Sequence, residues 1–332
     1  MRERIILAGD IGGTKTALGL FKMTTGHCES VVETTFRSDS YPGLEVMVKE
    51  FLGRVGFRIE AACFGVAGPV VGDEASITNL PWRVNRAALG REIGTASVRL
   101  MNDLEAIANA VPILEPADLY TLNERQPAAG GAIGVLAPGT GLGEAFLAWD
   151  GATYRAYPSE GGHCSFAPGN AMEMDLLVYL LEKFQHVSYE RICSGMGLPN
   201  LYAFFRERKL MEESPHVVQA LAKADDPTPV IVAAALDSDN PCRLCKQTLD
   251  TFVSILGAEA GNLALKVLAT GGIYLGGGIP PRILPVLRAG AFMESYQHKG
   301  RFGAMLGQMP VHVILNPRAA LMGAARAGLE GL

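Results

Sequence analysis

The chain has 332 residues, 48% of them hydrophobic, and its 29 lysines and arginines against 34 aspartates and glutamates give a net charge of -5. This composition excludes wholesale disorder, and the length is sufficient for two domains. No dense basic run suggests a nucleic-acid partner, and no apolar run approaches the roughly 20 residues needed to span a bilayer. The first ten residues lack a signal-peptide pattern, and six scattered cysteines favour reduced thiols, so we expect a cytoplasmic protein without a nucleic-acid or membrane partner.

Residues 7–21 predict two short strands joined by a glycine-rich turn. Gly9, Gly12 and Gly13 allow close approach of the backbone, and successive N–H groups in such a turn can bind an anion. Asp10 would repel a phosphate unless a cation lies between them, which makes it a candidate Mg²⁺ ligand. An ordinary β-hairpin with Asp-Gly turn chemistry explains the segment equally well.

The next hundred residues read as alternating strands and helices. Periodicity predicts further sheet in 28–40, helices near 44–55 and 86–93, strands at 61–66 and 98–101, and a helix that Pro112 ends. Asn102 and Asp103 therefore follow a strand and begin a helix, where open α/β sheets bind ligands. Asp103 could serve only as the helix cap, or Asn102 could cap and leave Asp103 for chemistry.

The opening pattern returns 129 residues later, after a connection at 113–131 that is typical of a domain boundary. Apolar runs at 133–137 and 145–149 flank a turn that contains Gly139, Thr140, Gly141 and Gly143. Two such units, one per domain, could face each other across a cleft and hold a polyphosphate. Two unrelated hairpins are the alternative.

Polar residues of two later segments can bond hydroxyl groups. Residues 158–168 contain Ser159, Glu160 and His163, and a second acidic candidate follows at Glu190. Each of these side chains is also compatible with an ordinary solvated loop. Between them, a capping-box pattern predicts a helix from about residue 170.

The C-terminal part predicts a long amphipathic helix at 242–268, a strand running into Gly276, Gly277 and Gly278, a helix start at Pro280 and Pro281, a strand at 311–315 and a closing helix at 319–329. The three glycines would let a ligand lie against the backbone, although a loose loop is nearly as compatible. Cys242 and Cys245 lack a second pair for zinc, so a buried helix start is favoured over a metal or redox role. No Walker A, GxSxG, HExxH or GxGxxG motif occurs.

In this order the motifs resemble the bacterial glucokinases, a branch of the sugar kinase, heat-shock ATPase and actin superfamily. The resemblance covers nearly the whole chain and rests on GDIGGTK at Gly9, TNLPW at Thr78, LMNDLEAIA at Leu100, GTGLG at Gly139, PSEGGH at Pro158, HVSYER at His186, SGMGL at Ser194 and LGGGIPPR at Leu275. It implies two actin-like (ribonuclease H-like) α/β domains flanking a central cleft. The small domain would comprise residues 1–112 and 318–332, and the large one residues 113–317.

The resemblance also implies ATP-dependent phosphorylation of the 6-hydroxyl of glucose, with Mg²⁺, in a homodimer. Its catalytic base corresponds to Asp103, and Asp10 would hold the metal through water. Its sugar-binding residues correspond to Asn79, Asn102, Asp103, Glu160, His163 and Glu190. The phosphate turns correspond to Gly9, Asp10, Gly12, Gly13 and Thr14 and to Gly139, Thr140, Gly141 and Gly143, and the nucleoside end to Gly276, Gly277 and Gly278.

The chain departs from the family where many members place Asn after GGT and Arg shortly afterwards, because Lys15, Thr16 and Ala17 stand here. Two other readings stay open from sequence. One is a kinase of the same superfamily for mannose or an amino sugar, and the other is a sugar-sensing protein without turnover.

Overall fold

The computed structural model describes residues 4–24, 27–77 and 80–330, and the chain divides into two compact units. The first comprises Met1–Asp118, Thr153–Pro158 and Asn316–Leu332, and the second Leu119–Ala152 and Ser159–Leu315. Thr153–Pro158 groups with the first unit, where the buried Arg326 guanidinium donates to Thr153 Oγ1 at 3.0 Å and to the Tyr154 carbonyl oxygen at 2.8 Å.

The strands are, in chain order, β1 (Arg4–Ile11), β2 (Lys15–Thr24), β3 (His27–Arg37), β4 (Ala61–Val66), β5 (Val70–Val71), β6 (Glu74–Ser76), β7 (Arg83–Asn85), β8 (Val98–Asn102), β9 (Leu119–Asn123), β10 (Ile133–Pro138), β11 (Leu142–Trp149), β12 (Tyr154–Ser159), β13 (Gly272–Leu275) and β14 (Val311–Ile314).

The α-helices are α1 (Leu44–Leu52), α2 (Arg86–Ile93), α3 (Asp103–Ala110), α4 (Ala171–Leu181), α5 (Gly197–Glu207), α6 (Pro215–Leu221), α7 (Pro227–Leu236), α8 (Arg243–Val267), α9 (Leu284–Leu287), α10 (Ala291–Gln297), α11 (Gly303–Leu306) and α12 (Ala319–Glu330). None of the described helices combines the length and the apolar character that a membrane span requires.

The sheet of the first unit has the strand order β3-β2-β1-β4-β8. Strand β1 pairs antiparallel with β2, while β1, β4 and β8 run parallel, so their carboxyl ends meet at one edge. The register places Asp10 beside Gly65, and Val66 beside Asn102. The polar residues predicted at separate strand ends therefore share this edge.

The main sheet of the second unit repeats this arrangement. Its strand order within this unit is β11-β10-β13-β14-β9, and β10 pairs antiparallel with β11 and parallel with β13, as β1 does with β2 and β4. The predicted internal repeat is therefore confirmed at the level of topology. The two turns differ in length, since Gly12 N donates to the Lys15 carbonyl oxygen, whereas Gly139 N donates to the Gly141 carbonyl oxygen.

Two parts of the sequence prediction were wrong. The predicted connection at 113–131 contains strand β9, which pairs antiparallel with β14 and packs Tyr120 and Leu122 against the core of the second unit. Residues 280–283 form turns, and α9 begins at Leu284, with no helix starting at Pro280 or Pro281. The spacing of apolar residues in the sequence also does not predict helices α5 and α6.

Helix α12 closes the first unit by packing on α3 and on the face of β1. Gly323 makes the close approach to α3 possible, because a Cβ built there would lie 1.8 Å from the Ala106 carbonyl oxygen. The α12 residues Leu321, Ala324 and Ala325 then join Ile6 and Met101 in one buried apolar cluster.

We expect Gly323→Ala to lower the free energy of unfolding by about 1–3 kcal/mol, the usual cost of overpacking, because α12 must move away from α3. Urea unfolding of wild type and variant measures this. Gly56→Ala is the matched control, since nothing lies within 4 Å of its Cβ position, and its stability should stay within about 0.5 kcal/mol of wild type. Equal stability of all three proteins would refute the packing argument.

Candidate active site

Two carboxylates lie at the edge of the first sheet where the carboxyl ends of β1, β4 and β8 meet, termed the ligand edge below. Asp10 is the penultimate residue of β1, and Asp103 is the first residue of α3. Burial, and to a smaller extent the negative charge of Asp103, raises the pKa of Asp10 to about 6. Burial also raises the pKa of Asp103, against the lowering effect of its hydrogen bond with the Leu104 amide. A cation or an acidic proton would be stabilised between these groups.

Asn102 caps helix α3, which is one of the two alternatives that the sequence left open. Its Oδ1 accepts from Leu104 N at 2.9 Å, and its Nδ2 donates to the Gly68 carbonyl oxygen at 3.3 Å. Asp103 Oδ1 shares the Leu104 amide at 2.9 Å. Asn102 thus serves as the cap and holds Asp103 in place. The cap does not use both carboxylate oxygens of Asp103.

The close approach of α3 to the sheet depends on Gly65, whose role the sequence did not reveal. A Cβ built at Gly65 would lie 2.8 Å from Ala106 Cβ and 3.7 Å from Asp103 Cα. Any larger residue would push the start of α3 away from β4. Gly65 therefore sets the position of Asp103 relative to the end of β1.

The glycine turn after β1 is braced from the neighbouring 3₁₀ turn. Ser38 Oγ donates to the Gly12 carbonyl oxygen at 2.8 Å, and Ser38 N donates to the Thr14 carbonyl oxygen at 3.0 Å. The buried Thr16 hydroxyl lies 3.0 Å from Ser38 Oγ. These bonds fix the shape of the predicted phosphate turn, while Lys15 itself points to solvent.

The second unit brings together three of the predicted sugar-binding residues. His163 Nε2 lies 3.8 Å from Glu160 Oε2, and His163 Nδ1 lies 3.8 Å from Glu190 Oε1. The Glu160 side chain is 91% exposed and available to a ligand, whereas that of Glu190 is only 18% exposed. Glu190 is held in place because its Oε2 accepts from Leu142 N at 3.0 Å.

A cavity of about 410 Å³ opens beside this group and is lined by His163 and Glu190 together with Lys183, His186 and Arg191. Its size falls within the range of roughly 300–1,000 Å³ that is usual for small-ligand sites. The mixture of carboxylate and cationic groups suits a ligand rich in hydroxyl groups.

The glycines of the second unit place the predicted nucleotide segments next to each other. A Cβ at Gly277, which has φ 82°, would lie 2.6 Å from the Pro138 carbonyl oxygen, so the triple-glycine segment lies against the end of β10. Gly139 and Thr140 follow immediately, and their carbonyl oxygens accept from Gly195 N and Met196 N. Gly276 N donates to the Leu136 carbonyl oxygen, which completes this edge.

Asn79 lies outside the described residues, so its predicted role stays a prediction. Among the residues the structure describes, no group of three or more His, Cys, Asp or Glu side chains could hold a metal. One or two carboxylates with water and phosphate oxygens suffice for Mg²⁺. Asp10 fits that requirement, because it is a half-buried carboxylate that a second negative group already destabilises. Cys242 is the N-cap of α8, where its sulfur accepts from Cys245 N.

Comparison with known proteins gives one consistent answer. Residues 7–330 match the family model described as Glucokinase. The chain is 41% identical to a glucokinase of Nostoc punctiforme over 97% of this chain and 98% of that protein, and 35% identical to a glucokinase of Yersinia pestis over 96% and 94%. A crystal structure of glucokinase from an Antarctic psychrotroph superposes with a TM-score of 0.85 at 29% identity and covers 98% of this chain and 99% of that one. The predicted actin-like α/β class is thereby confirmed.

We expect the carboxylate of Asp10 to lower the free energy of unfolding of the ligand-free protein at neutral pH. Its folded pKa of about 6 exceeds the ordinary value of 3.8, so the folded state binds more protons between these values, and the free energy of unfolding falls as pH rises through this window. We expect Asp10→Asn to raise the free energy of unfolding at about pH 7.5 by about 1–3 kcal/mol without nucleotide or Mg²⁺.

This gain should shrink towards about pH 4.5, where wild-type Asp10 is protonated. Urea unfolding at several pH values measures it, with the exposed Asp73→Asn as control. A variant that is no more stable than wild type at any pH would show that Asp10 carries no burial cost.

Proposed function

The chain belongs to the glucokinase family and catalyses ATP-dependent phosphorylation of glucose, and we propose that Asp103 is the general base of this reaction. The observation that supports the proposal is that Asn102 and Asp103 have separate roles at the start of α3. Asn102 caps the helix and holds Asp103 at the carboxyl end of β8, at the same edge of the sheet as Asp10 near the end of β1.

A sugar hydroxyl is a weak nucleophile, and in phosphoryl transfer the protein mainly positions it and stabilises charge. Asp103 accepts the hydrogen bond of the 6-hydroxyl and takes up its proton as the oxygen bonds to the γ-phosphorus of ATP and the bond from that phosphorus to the departing ADP breaks. The burial that raises the Asp103 pKa also makes it a better proton acceptor than a fully solvated aspartate.

We assign glucose binding to Asn102, Asp103, Glu160, His163 and Glu190, with Asn79 as a further contact. The contacts of His163 with Glu160 and with Glu190 support this assignment, because they bring three hydrogen-bonding side chains together, two of which line one cavity. A sugar with a missing or inverted hydroxyl would leave one of these groups unpaired, which gives specificity.

ATP binding is assigned to two glycine turns and the triple-glycine segment. The phosphate-binding residues are Gly9, Asp10, Gly12, Gly13 and Thr14, and Gly139, Thr140, Gly141 and Gly143, with the nucleoside at Gly276, Gly277 and Gly278. When Mg²⁺ is bound, it shields phosphate charge, and Asp10 would hold it through water. Ser38 supports this function by fixing the first turn.

We further propose that the enzyme acts in the cytoplasm as a homodimer. All six cysteines are free thiols, which suits a reducing compartment. Sedimentation of the purified protein tests the dimer.

Asp103→Asn should keep glucose binding but reduce kcat by about 10² to 10⁴, the span usual for removal of a general base. The asparagine preserves the helix start and can still bond the hydroxyl, but it cannot take the proton. Coupled ADP detection gives kcat, and calorimetric titration gives glucose affinity. Asp73→Asn, which removes an exposed carboxylate, should behave as wild type, and near-normal turnover by Asp103→Asn would reject the base assignment.

Glu160→Gln should raise the glucose KM by about tenfold or more, as expected for weakening a charged hydrogen bond, with a smaller effect on kcat. Initial rates across a glucose series measure both constants, with the exposed Glu74→Gln as control. An unchanged KM would mean that residues 158–168 do not bind the sugar.

A further inference from the structure

Glu144, on β11, is a buried carboxyl that the mechanism above does not use. Its residue is 1% exposed, and Oε1 has no hydrogen-bond partner within residues 4–24, 27–77 and 80–330. A second buried carboxyl, that of Glu259 on α8, is 0% exposed and lies within hydrogen-bonding reach of it. Two adjacent buried carboxylates repel strongly, so the pair is stable only when one of them carries a proton.

The hydrogen-bond donors around the pair face Glu259, which favours Glu144 as the residue that carries the proton. Glu259 accepts from Asn262 Nδ2 at 2.7 Å and pairs with Lys266 Nζ at 3.4 Å, while Lys299 Nζ donates to Asn262 Oδ1 at 2.6 Å. Burial and, second, the negative charge of Glu259 raise the pKa of Glu144 to about 8, against a smaller lowering effect of Lys266. An oxygen without a partner also costs less in a neutral acid than in a carboxylate.

Other titratable groups packed nearby are Tyr189, Cys193 and Glu173. Burial and the charge of Glu259 raise the pKa of both the Tyr189 phenol and the Cys193 thiol, so these two stay neutral. Burial lowers the pKa of Lys299, while Glu259 and Glu173 oppose that change. Lys299 is therefore the group whose titration must be distinguished from that of Glu144.

Glu144 supports both loops that carry the sugar-binding residues. The Glu144 Oε2 atom occupies the space a side chain at Gly161 would fill, since a Cβ built there would lie 2.1 Å from it. Two residues before Glu144, Leu142 N donates to Glu190 Oε2. The hydroxyl of Tyr189, the residue before Glu190, accepts a hydrogen bond from Asn262 Nδ2 at 3.0 Å. It also forms a hydrogen bond with Glu259.

We propose that Glu144, held as a neutral acid hydrogen-bonded to Glu259, is a positioning residue that fixes Glu160, His163 and Glu190 in their sugar-binding arrangement. The inference rests on the proposed sugar contacts. Loss of the proton places two charges side by side beneath Gly161 and Tyr189. The carboxyls then separate or admit water, and the two loops shift together.

The test compares glucose KM and kcat between about pH 7 and about pH 9.5 for wild type, Glu144→Gln and the exposed control Glu212→Gln. Glutamine keeps the shape and donor of the neutral acid but cannot ionise. We expect the KM of wild type and of Glu212→Gln to rise about fivefold or more with pH, the KM of Glu144→Gln to stay within about twofold, and kcat to change little in all three.

A flat KM in wild type overturns the proposal, and so does a rise in Glu144→Gln that equals that of wild type, which would assign the titration to Lys299. Infrared spectra of the unliganded protein give a readout that does not involve sugar or turnover. The carbonyl stretch of a buried protonated acid should be present at about pH 7, absent in Glu144→Gln, and lost from wild type at high pH.

A spectrum of wild type at about pH 7 identical to that of Glu144→Gln overturns the protonation on its own, even if the variant folds poorly. If Glu160→Gln leaves KM unchanged while the infrared band behaves as expected, the sugar-loop assignment has failed and the proton assignment has not.

Discussion

The ligand edge of the first unit depends on the way α3 begins. Three parallel strands end side by side, and a helix must start directly after β8 and pack on β4 without a gap. Gly65 provides the space, and Asn102 satisfies the first helical amides. The result is that Asp103 lies close enough to Asp10 for its negative charge to penalise ionisation of Asp10. That unfavourable charge pair makes the edge suited to a cation and to proton transfer.

In the second unit, glycines permit close contacts that a side chain at the same position would block. Gly141, Gly161 and Gly162 each lie where a Cβ would collide with Glu190, Glu144 or the Leu142 backbone. These glycines let the start of β11 pack directly against the segments that contain Gly161 and Glu190. Strand β11 therefore holds Glu190 through an amide and contacts Gly161 through a buried acid. The residues proposed to bind phosphate and sugar in this unit thus depend on one strand.

Sequence alone predicted the features that have local causes. Both glycine hairpins, the strand 61–66, the helix 86–93 and the long helix at 242–268 follow from periodicity and turn chemistry, and the structure confirms them. The choice between Asn102 and Asp103 as cap could not be made locally, because both side chains accept from the Leu104 amide and Asn102 is held in addition by a bond to Gly68 from another segment. Strand β9 was missed because its identity comes from pairing with β14, nearly two hundred residues away. Gly65, Ser38 and Glu144 carry no local signal either, since only packed neighbours give them a role.

Product analysis decides whether this chain transfers phosphate from ATP to glucose and whether the reaction needs Mg²⁺. Purified protein is incubated with glucose, ATP and Mg²⁺, and with each omitted in turn, while phosphorus NMR identifies the product. We expect glucose 6-phosphate and ADP in equal amounts only when all three are present. No sugar phosphate, or ADP formation that does not depend on glucose, would contradict it.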